Sequence, residues 1–193
     1  MQFVMVFLSA ALVNNIVLSR SLGICHVASD SKRLETAFGL GVVVTFIVTV
    51  SSTVSFVLYT FVLRPLGLSY LYLVVFLLVI ALSAIPAQSC FKRVAPKTYL
   101  AMNIKLPLIF TNCAVLGAVL LSVELFGGSF AVTIAYALGA GTGFTLVMVL
   151  FSGIRERLAA SQIAPALQGL PIALIILGLM SITFFGLTGL VHI

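Results

Sequence analysis

Six long apolar segments separated by short polar connections form the main pattern of this sequence. The segments cover residues 3–19, 38–63, 71–87, 106–121, 130–151 and 170–191. Each is close to the roughly 20 residues that a helix needs to cross the apolar core of a bilayer. The pattern therefore predicts an all-α, polytopic membrane protein with six transmembrane helices, which form one integral membrane domain over residues 1–193.

Two of these segments carry polar residues at positions where lipid offers no hydrogen-bonding partner. The first contains Asn14 and Asn15, and the fourth contains Pro107, Thr111 and Asn112. Proline breaks the helical hydrogen-bond ladder, and polar groups at membrane depth need partners inside the protein. We therefore expect the first and fourth helices to be interrupted. We also expect Asn14, Asn15 and Asn112 to face the interior and bind backbone groups that the interruptions free.

The two halves of the chain resemble each other. Residues 14–18 (Asn-Asn-Ile-Val-Leu) align with residues 112–116 (Asn-Cys-Ala-Val-Leu), a separation of 112 − 14 = 98. At the same separation, residues 37–41 align with residues 135–139. Because each half holds three spans, an odd number, the halves must be inserted in opposite directions. The sequence thus predicts two inverted three-helix repeats, at about 1–98 and 99–193. The run Gly139, Gly141 and Gly143 is interpreted as close helix packing.

Composition and charge narrow the class of protein further. Hydrophobic residues make up 62% of the chain and charged residues only 7%, against about 25% charged in soluble domains. Nine of the ten lysines and arginines fall in the connections at 20–35, 91–105 and 152–169, and Arg64 alone lies on the other side. The positive-inside rule places those three connections in the cytoplasm and both termini outside. The basic residues lie in loops, so the net charge of +6 does not indicate a nucleic-acid partner. The N-terminus lacks a basic region and cleavage site, which favours a first span over a signal peptide.

Cysteine and histidine are the remaining candidates for chemistry. The chain has three cysteines, Cys25, Cys90 and Cys113, and two histidines, and it contains neither a CxxC pair nor a CxxCH haem site. Two histidines exclude a three-histidine catalytic zinc. Cys90 is interpreted as a small buried hydrophobe. For Cys25 and Cys113 both that interpretation and a metal-ligand role stay open, and a four-cysteine cluster would need a second subunit.

Several motifs carry a resemblance to a known family. They are Leu12-Val13-Asn14-Asn15, Leu22-Gly23-Ile24-Cys25, Ser31-Lys32-Arg33-Leu34-Glu35-Thr36-Ala37, Leu106-Pro107-Leu108-Ile109, Thr111-Asn112-Cys113-Ala114-Val115-Leu116-Gly117 and Gly153-Ile154-Arg155-Glu156-Arg157-Leu158. Together they resemble the A-type family of Rnf electron-transport subunits, over nearly the whole chain. The wider family includes the D and E subunits of the sodium-pumping NADH:quinone reductase. Val13-Asn14-Asn15 favours the A branch over the E branch, where we expect a glutamate near this point.

The resemblance implies a function that composition alone does not give. It implies a membrane subunit of a bacterial cytoplasmic-membrane translocase that couples electron transfer between ferredoxin and NAD to Na⁺ or H⁺ movement, with no complete active site in this chain. Cys25 and Cys113 are implied as ligands of a [2Fe-2S] cluster shared with a homologous, oppositely inserted partner. Asn14, Asn15, Thr111 and Asn112 would support them. Flavin and nicotinamide are expected on other subunits of the complex.

Two positions depart from the family pattern. Lys105 replaces an expected apolar residue, and Gln88-Ser89-Cys90 stands where family members often carry an acidic residue. Both departures bear on docking or ion coupling.

Two alternative functions stay open. One alternative is an E-type subunit of the quinone reductase. The other is a self-sufficient secondary transporter that binds a small solute through Asn14, Asn15, Thr111 and Asn112. The cysteine in each half favours the electron-transfer subunit over the solute carrier, because a solute carrier does not need these cysteines. A purely structural scaffold explains neither Pro107 nor the polar cluster.

Overall fold

Helices account for the secondary structure of the chain wherever it is described. The computed structural model describes residues 2–24, 34–65, 67, 69–94, 112–126, 129–159 and 168–188, and these ranges contain no strand. The α-helices are α1 (Gln2–Leu8), α2 (Ile16–Arg20), α3 (Leu34–Leu58), α4 (Tyr72–Val94), α5 (Cys113–Phe126), α6 (Phe130–Ala159) and α7 (Leu170–Thr188). A π-helical turn extends α1 over Ser9–Val13, a second extends α3 over Tyr59–Leu63, and a 3₁₀ turn at Ser69–Leu71 precedes α4. The all-α prediction is confirmed.

The surface of the described helices is apolar, as expected of a protein whose solvent is lipid. Leu34–Leu63 and Phe130–Leu158 are long and apolar enough to cross a membrane. Shorter apolar helices cover Phe3–Val13, Tyr72–Ala87, Cys113–Glu124 and Leu170–Gly186. Large side chains such as Phe61, Leu78 and Ile182 are well exposed, which is costly in water and favourable in hydrocarbon.

Helix boundaries follow the predicted segments with local differences. The first segment is broken at Asn14 and Asn15, as expected. The third was expected to end at residue 87, but α4 continues to Val94 and holds Pro86 in its interior. The fourth was expected over 106–121, whereas α5 runs from Cys113 to Phe126. Pro107 lies outside the described residues.

Helices α3 and α6 cross at the centre of the molecule through a reciprocal contact. The Oγ1 atoms of Thr45 and Thr145 lie 3.2 Å apart. A Cβ built at Gly41 would lie 2.6–2.8 Å from the Thr145 side chain, and one at Gly141 would lie 2.7–2.9 Å from Thr45. Only glycine allows the helices to approach this closely. Because Gly41 meets Thr145 while Gly141 meets Thr45, the two helices run antiparallel here.

The other helices pack around this crossing. Gly139 lies against Phe7 and Ala10 of the first segment, and Gly143 lies against Ala11 and Asn15. These contacts confirm that the glycine run of α6 serves close helix packing. On the opposite side Ser51 of α3 and Ser83 of α4 share a buried hydrogen bond of 2.6 Å.

The two crossing threonines lie 100 positions apart in the sequence. The sequence alignment paired residues 37–41 with 135–139 at a separation of 98. The alignment of the two halves stays a prediction.

Candidate functional site

The polar break of the first segment is built from a π turn followed by a new helix. The Asn14 N–H donates to the Ser9 carbonyl at 2.7 Å, which closes the wide turn of Ser9–Val13. Asn15 then adopts an extended conformation and acts as N-cap of α2. Its Oδ1 accepts the Val17 N–H at 3.1 Å. Asparagine is among the best N-cap residues because its side chain replaces a missing helical partner.

The side chain of Asn15 also joins this break to α6. It is only 1% exposed. Its Nδ2 donates to the Ala11 carbonyl at 3.0 Å and to the Gly143 carbonyl at 2.9 Å. Both amide hydrogens and one lone pair of Oδ1 are therefore used inside this chain. The prediction that Asn15 binds backbone groups freed by the interruption is confirmed.

Asn14 behaves differently from its neighbour. Its side chain is exposed, and its Nδ2 donates to the Ser9 Oγ of its own segment at 3.2 Å. The prediction that Asn14 faces the interior is wrong for this chain taken alone. The backbone changes direction at this point, because Asn14 ends the π turn with φ −95° and ψ 43° whereas Asn15 is extended, with φ −61° and ψ 120°. Burial of Asn15 therefore turns Asn14 outward.

The second polar element is the N-terminus of α5. Asn112 is 1% exposed, and its Oδ1 accepts the Ala114 N–H at 3.0 Å. Asn112 and Asn15 thus cap their helices with the same contact, to the residue two positions on. The predicted burial of Asn112 is confirmed. Its Nδ2, however, has no hydrogen-bond partner among the residues that the structure describes, in contrast to the Nδ2 of Asn15.

Cys113 is the first residue of α5 and contacts the segment that follows α2. Its Sγ accepts the backbone N–H of Gly23 at 3.0 Å. Gly23 has φ +88°, and a Cβ there would lie 2.9 Å from the Ala114 Cβ and 3.1 Å from Phe144 Cε2. Both the backbone conformation and the close packing therefore require glycine. In the sequence, the one signal for Gly23 is its place in the motif Leu22-Gly23-Ile24-Cys25, two residues before a cysteine.

This geometry suits a thiolate. The N-terminus of a helix carries a partial positive charge, which favours negative charge at this position. A backbone N–H aimed at the sulfur stabilises negative charge there. Cys113 is half-buried and free of any disulfide. Its sulfur is therefore accessible to a soft metal and already supplied with one hydrogen-bond donor.

Other predicted site residues are not all part of the described structure. Cys25, Thr111 and Lys105 lie outside the described residues, and Cys90 belongs to α4, but its side chain is not described. Among the described side chains no three His, Cys, Asp or Glu residues come close enough to hold a metal ion. Of the predicted residues, the structure brings Asn112 and Cys113 together with Gly23. Asn15 lies nearby, since Gly23 packs on Phe144 and Asn15 binds the adjacent Gly143.

Apolar helices, small-residue crossings and polar groups at helix breaks define the class: a polytopic helical membrane protein. The chain belongs to the Rnf-Nqr family of membrane-protein subunits, whose family model matches residues 3–191. The resemblance found in the sequence motifs is thereby confirmed.

Relatives within this family match nearly the whole chain. The A subunit of the Na⁺-translocating ferredoxin:NAD⁺ oxidoreductase complex of Acetobacterium woodii is 45% identical, over 98% of each chain. The A subunit of the ion-translocating oxidoreductase complex of Pectobacterium carotovorum is 47% identical, also over 98% of each chain. The corresponding protein of Vibrio campbellii is 42% identical over the same shares.

Proposed function

We propose that this chain is the A-type membrane component of an ion-translocating oxidoreductase complex that transfers electrons between ferredoxin and NAD. The support is the agreement between its family, the names of its full-length relatives and the geometry at Cys113. The chain works together with the other Rnf subunits and contains no complete active site of its own. Flavin and nicotinamide bind elsewhere in the complex.

Within this membrane protein, Cys25 and Cys113 supply two thiolates to a [2Fe-2S] cluster. The observation that carries this assignment is the Cys113 sulfur at the start of α5, with the Gly23 N–H 3.0 Å away. Gly23 precedes Cys25 by two residues in the sequence. The bound cluster supplies one-electron redox chemistry.

This chain's own residues hold and tune such a ligand pair. The break at Asn14 and Asn15 separates the π turn of Ser9–Val13 from α2, so the chain can turn back toward α5 after only one short helix. Hydrogen bonds of Asn15 to Gly143 and of Ser181 Oγ to the Leu18 carbonyl (2.8 Å) anchor α2 to α6 and α7. The Gly23 N–H stabilises negative charge on the Cys113 sulfur. Apolar packing around these groups lowers the local dielectric and strengthens the interaction.

The two remaining ligands of the cluster come from a homologous subunit inserted in the opposite direction.

Support for inverted repeats within this chain comes from the antiparallel crossing of α3 and α6. A lateral groove between these helices is lined by residues that pair at the separation of the two crossing threonines: Phe38 with Leu138, Val42 with Thr142, Thr45 with Thr145, Phe46 with Leu146, Thr49 with Val149 and Val50 with Leu150. An axis of two-fold pseudosymmetry through the Thr45–Thr145 contact accounts for all of these pairs. The proposed architecture is six spans arranged as two such repeats.

The protein lies in the bacterial cytoplasmic membrane with both termini on the outer side. The Lys/Arg bias of the connections supports this orientation. The exposed Glu156 and Arg157 near the end of α6 fit a cytoplasmic helix end.

The polar break is better explained by this function than by solute transport. A solute carrier would use Asn15 to bind its substrate, but both amide hydrogens of Asn15 already bind backbone carbonyls. Its acceptor atom, Oδ1, faces the N-terminus of α2, where it accepts the Val17 N–H. The Asn15 side chain is therefore structural.

Cysteine variants of the purified complex test the proposal. Cys25→Ser and Cys113→Ser should each abolish one iron–sulfur electron paramagnetic resonance (EPR) signal and stop electron transfer through the complex. Cys90→Ser is the matched control and should leave both nearly intact, because Cys90 lies on α4 and is interpreted as a small hydrophobe. If Cys113→Ser kept the signal and the activity while Cys90→Ser lost them, the ligand assignment would be wrong.

A further inference from the structure

A small cavity lies between the end of α3, the start of α4 and the far end of α5. It has a volume of about 190 Å³ and is lined by Tyr59, Tyr72, Phe76, Leu120, Val123 and Glu124. Pockets for drug-sized ligands have volumes of about 300–1,000 Å³, so the occupant of this cavity is a small group or the small end of a larger molecule. Glu124 lies roughly 16 Å along the axis of α5 from Cys113. The cavity is therefore separate from the proposed cluster site.

Three aromatic rings form walls of this cavity. The ring centroids of Tyr72 and Phe76 are 5.9 Å apart and the ring planes are inclined by 71°. For Tyr59 and Phe76 the distance is 6.5 Å and the inclination 66°. Rings inclined in this way enclose a space instead of forming a flat stack. Aromatic rings around a small space are the arrangement by which proteins bind organic ammonium groups, because ring faces attract cations.

Glu124 adds a negative charge to the wall of the cavity. It is the one acidic residue on the side of the membrane that the Lys/Arg bias makes the outer side, since Asp30, Glu35 and Glu156 fall in the other connections. Arg64 is the one basic residue of that side. It follows Tyr59 by one π turn, and its backbone N–H donates to the Tyr59 carbonyl at 3.0 Å. A carboxylate in the wall and an exposed guanidinium one turn beyond it match a ligand with one positive and one negative group.

The surroundings of the cavity are those of the boundary between lipid headgroups and hydrocarbon. Tyr59, Tyr70 and Tyr72 are three of the five tyrosines of the chain, and tyrosine is enriched at this boundary. Further along α4, Val74 and Leu78 are exposed. A lipid whose headgroup enters the cavity can therefore lay an acyl chain on the apolar surface of α4, which a water-soluble amine cannot do.

We propose that this cavity binds the headgroup of a phospholipid with a primary ammonium group, of the phosphatidylethanolamine type. The ammonium group lies among the three aromatic rings and donates hydrogen bonds to the Glu124 carboxylate. Arg64 binds the phosphate, for which its guanidinium is well suited. A metal cation fits less well, because hard cations take oxygen ligands and the side chains of Phe76, Leu120 and Val123 offer none. This site goes beyond the proposed function and does not depend on it.

The test is a lipid titration of the full-length chain in detergent, followed by native mass spectrometry. Phosphatidylethanolamine should bind about tenfold more tightly than phosphatidylglycerol with the same acyl chains, and Glu124→Gln should abolish this preference. Glu156→Gln is the matched control, because it removes the same charge at an exposed position of α6, and it should leave the preference unchanged. Equal binding of the two lipids by the wild type, or an unchanged preference in Glu124→Gln, would overturn the proposal.

A fluorescence measurement decides the question even if Glu124→Gln fails to fold. The chain contains no tryptophan, so Tyr72→Trp introduces a single fluorophore and keeps an aromatic ring in the wall. Phosphatidylethanolamine should change its emission saturably, whereas phosphatidylglycerol and the free headgroup, O-phosphoethanolamine, should act only at much higher concentration. An equal response to both lipids would show non-specific lipid contact, and equally tight binding of the free headgroup would show a soluble ligand. Either result would contradict the proposal and leave the cluster assignment standing.

Discussion

Replacing Asn15 with alanine should destabilise the protein far more than replacing the adjacent Asn14. Asn15→Ala removes the N-cap of α2, which costs about 1 kcal/mol. It also removes two hydrogen bonds to buried carbonyls, of Ala11 and Gly143. Hydrogen bonds between transmembrane helices contribute about 0.6 kcal/mol each on average. The expected loss of unfolding free energy is therefore about 2 kcal/mol.

The assay is unfolding of the purified chain in detergent micelles by sodium dodecyl sulfate, followed by circular dichroism. Asn14→Ala is the matched control, since within the described part of the chain the Asn14 side chain makes a single hydrogen bond, the exposed one to Ser9. It should change the unfolding free energy by less than about 0.5 kcal/mol. Equal effects of the two substitutions, or a neutral Asn15→Ala, would refute the view that the break is held by Asn15.

Three further predictions concern close packing and topology. Gly23→Ala should cost about 1–2 kcal/mol, because alanine is strained in the left-handed conformation of this residue, and its Cβ would press on Ala114. The EPR signal of the complex should therefore weaken. Full signal intensity would contradict the proposed role of Gly23 in holding the Cys113 sulfur. Gly141→Ala should destabilise the α3–α6 crossing by about 1–3 kcal/mol in the detergent assay. Gly153→Ala, whose added Cβ would contact nothing within 4 Å, should be neutral or stabilising by about 0.5–1 kcal/mol. If Gly153→Ala lowered the unfolding free energy more than Gly141→Ala, the crossing geometry would be wrong. A reporter fused after Ile193 should be active outside the cytoplasm. Activity confined to the cytoplasm would show that the proposed orientation is wrong.

The helices could be predicted because the physical signal for them is strong. Runs of about 20 apolar residues between polar connections have few folds available in lipid. The asparagines of the first segment marked the break for the same reason, since an unpartnered amide is costly in hydrocarbon. Burial of Asn15 and Asn112 followed directly from that cost.

Details that depend on packing could not be obtained from the sequence. Asn14 and Asn15 are chemically identical, and which of them points inward depends on the backbone conformation at the end of the π turn of Ser9–Val13. The reciprocal fit of Gly41 with Thr145 and of Gly141 with Thr45 is a three-dimensional property. The Gly23–Cys113 contact joins residues 90 positions apart, and no local pattern encodes it.

The most direct test of the central claim is an electron cryomicroscopy structure of the assembled complex. We expect density for a two-iron cluster bonded to the sulfurs of Cys25 and Cys113, with two further cysteine sulfurs from a homologous subunit. A structure in which the Cys113 sulfur binds no metal, or in which all four ligands come from one chain, would contradict the account.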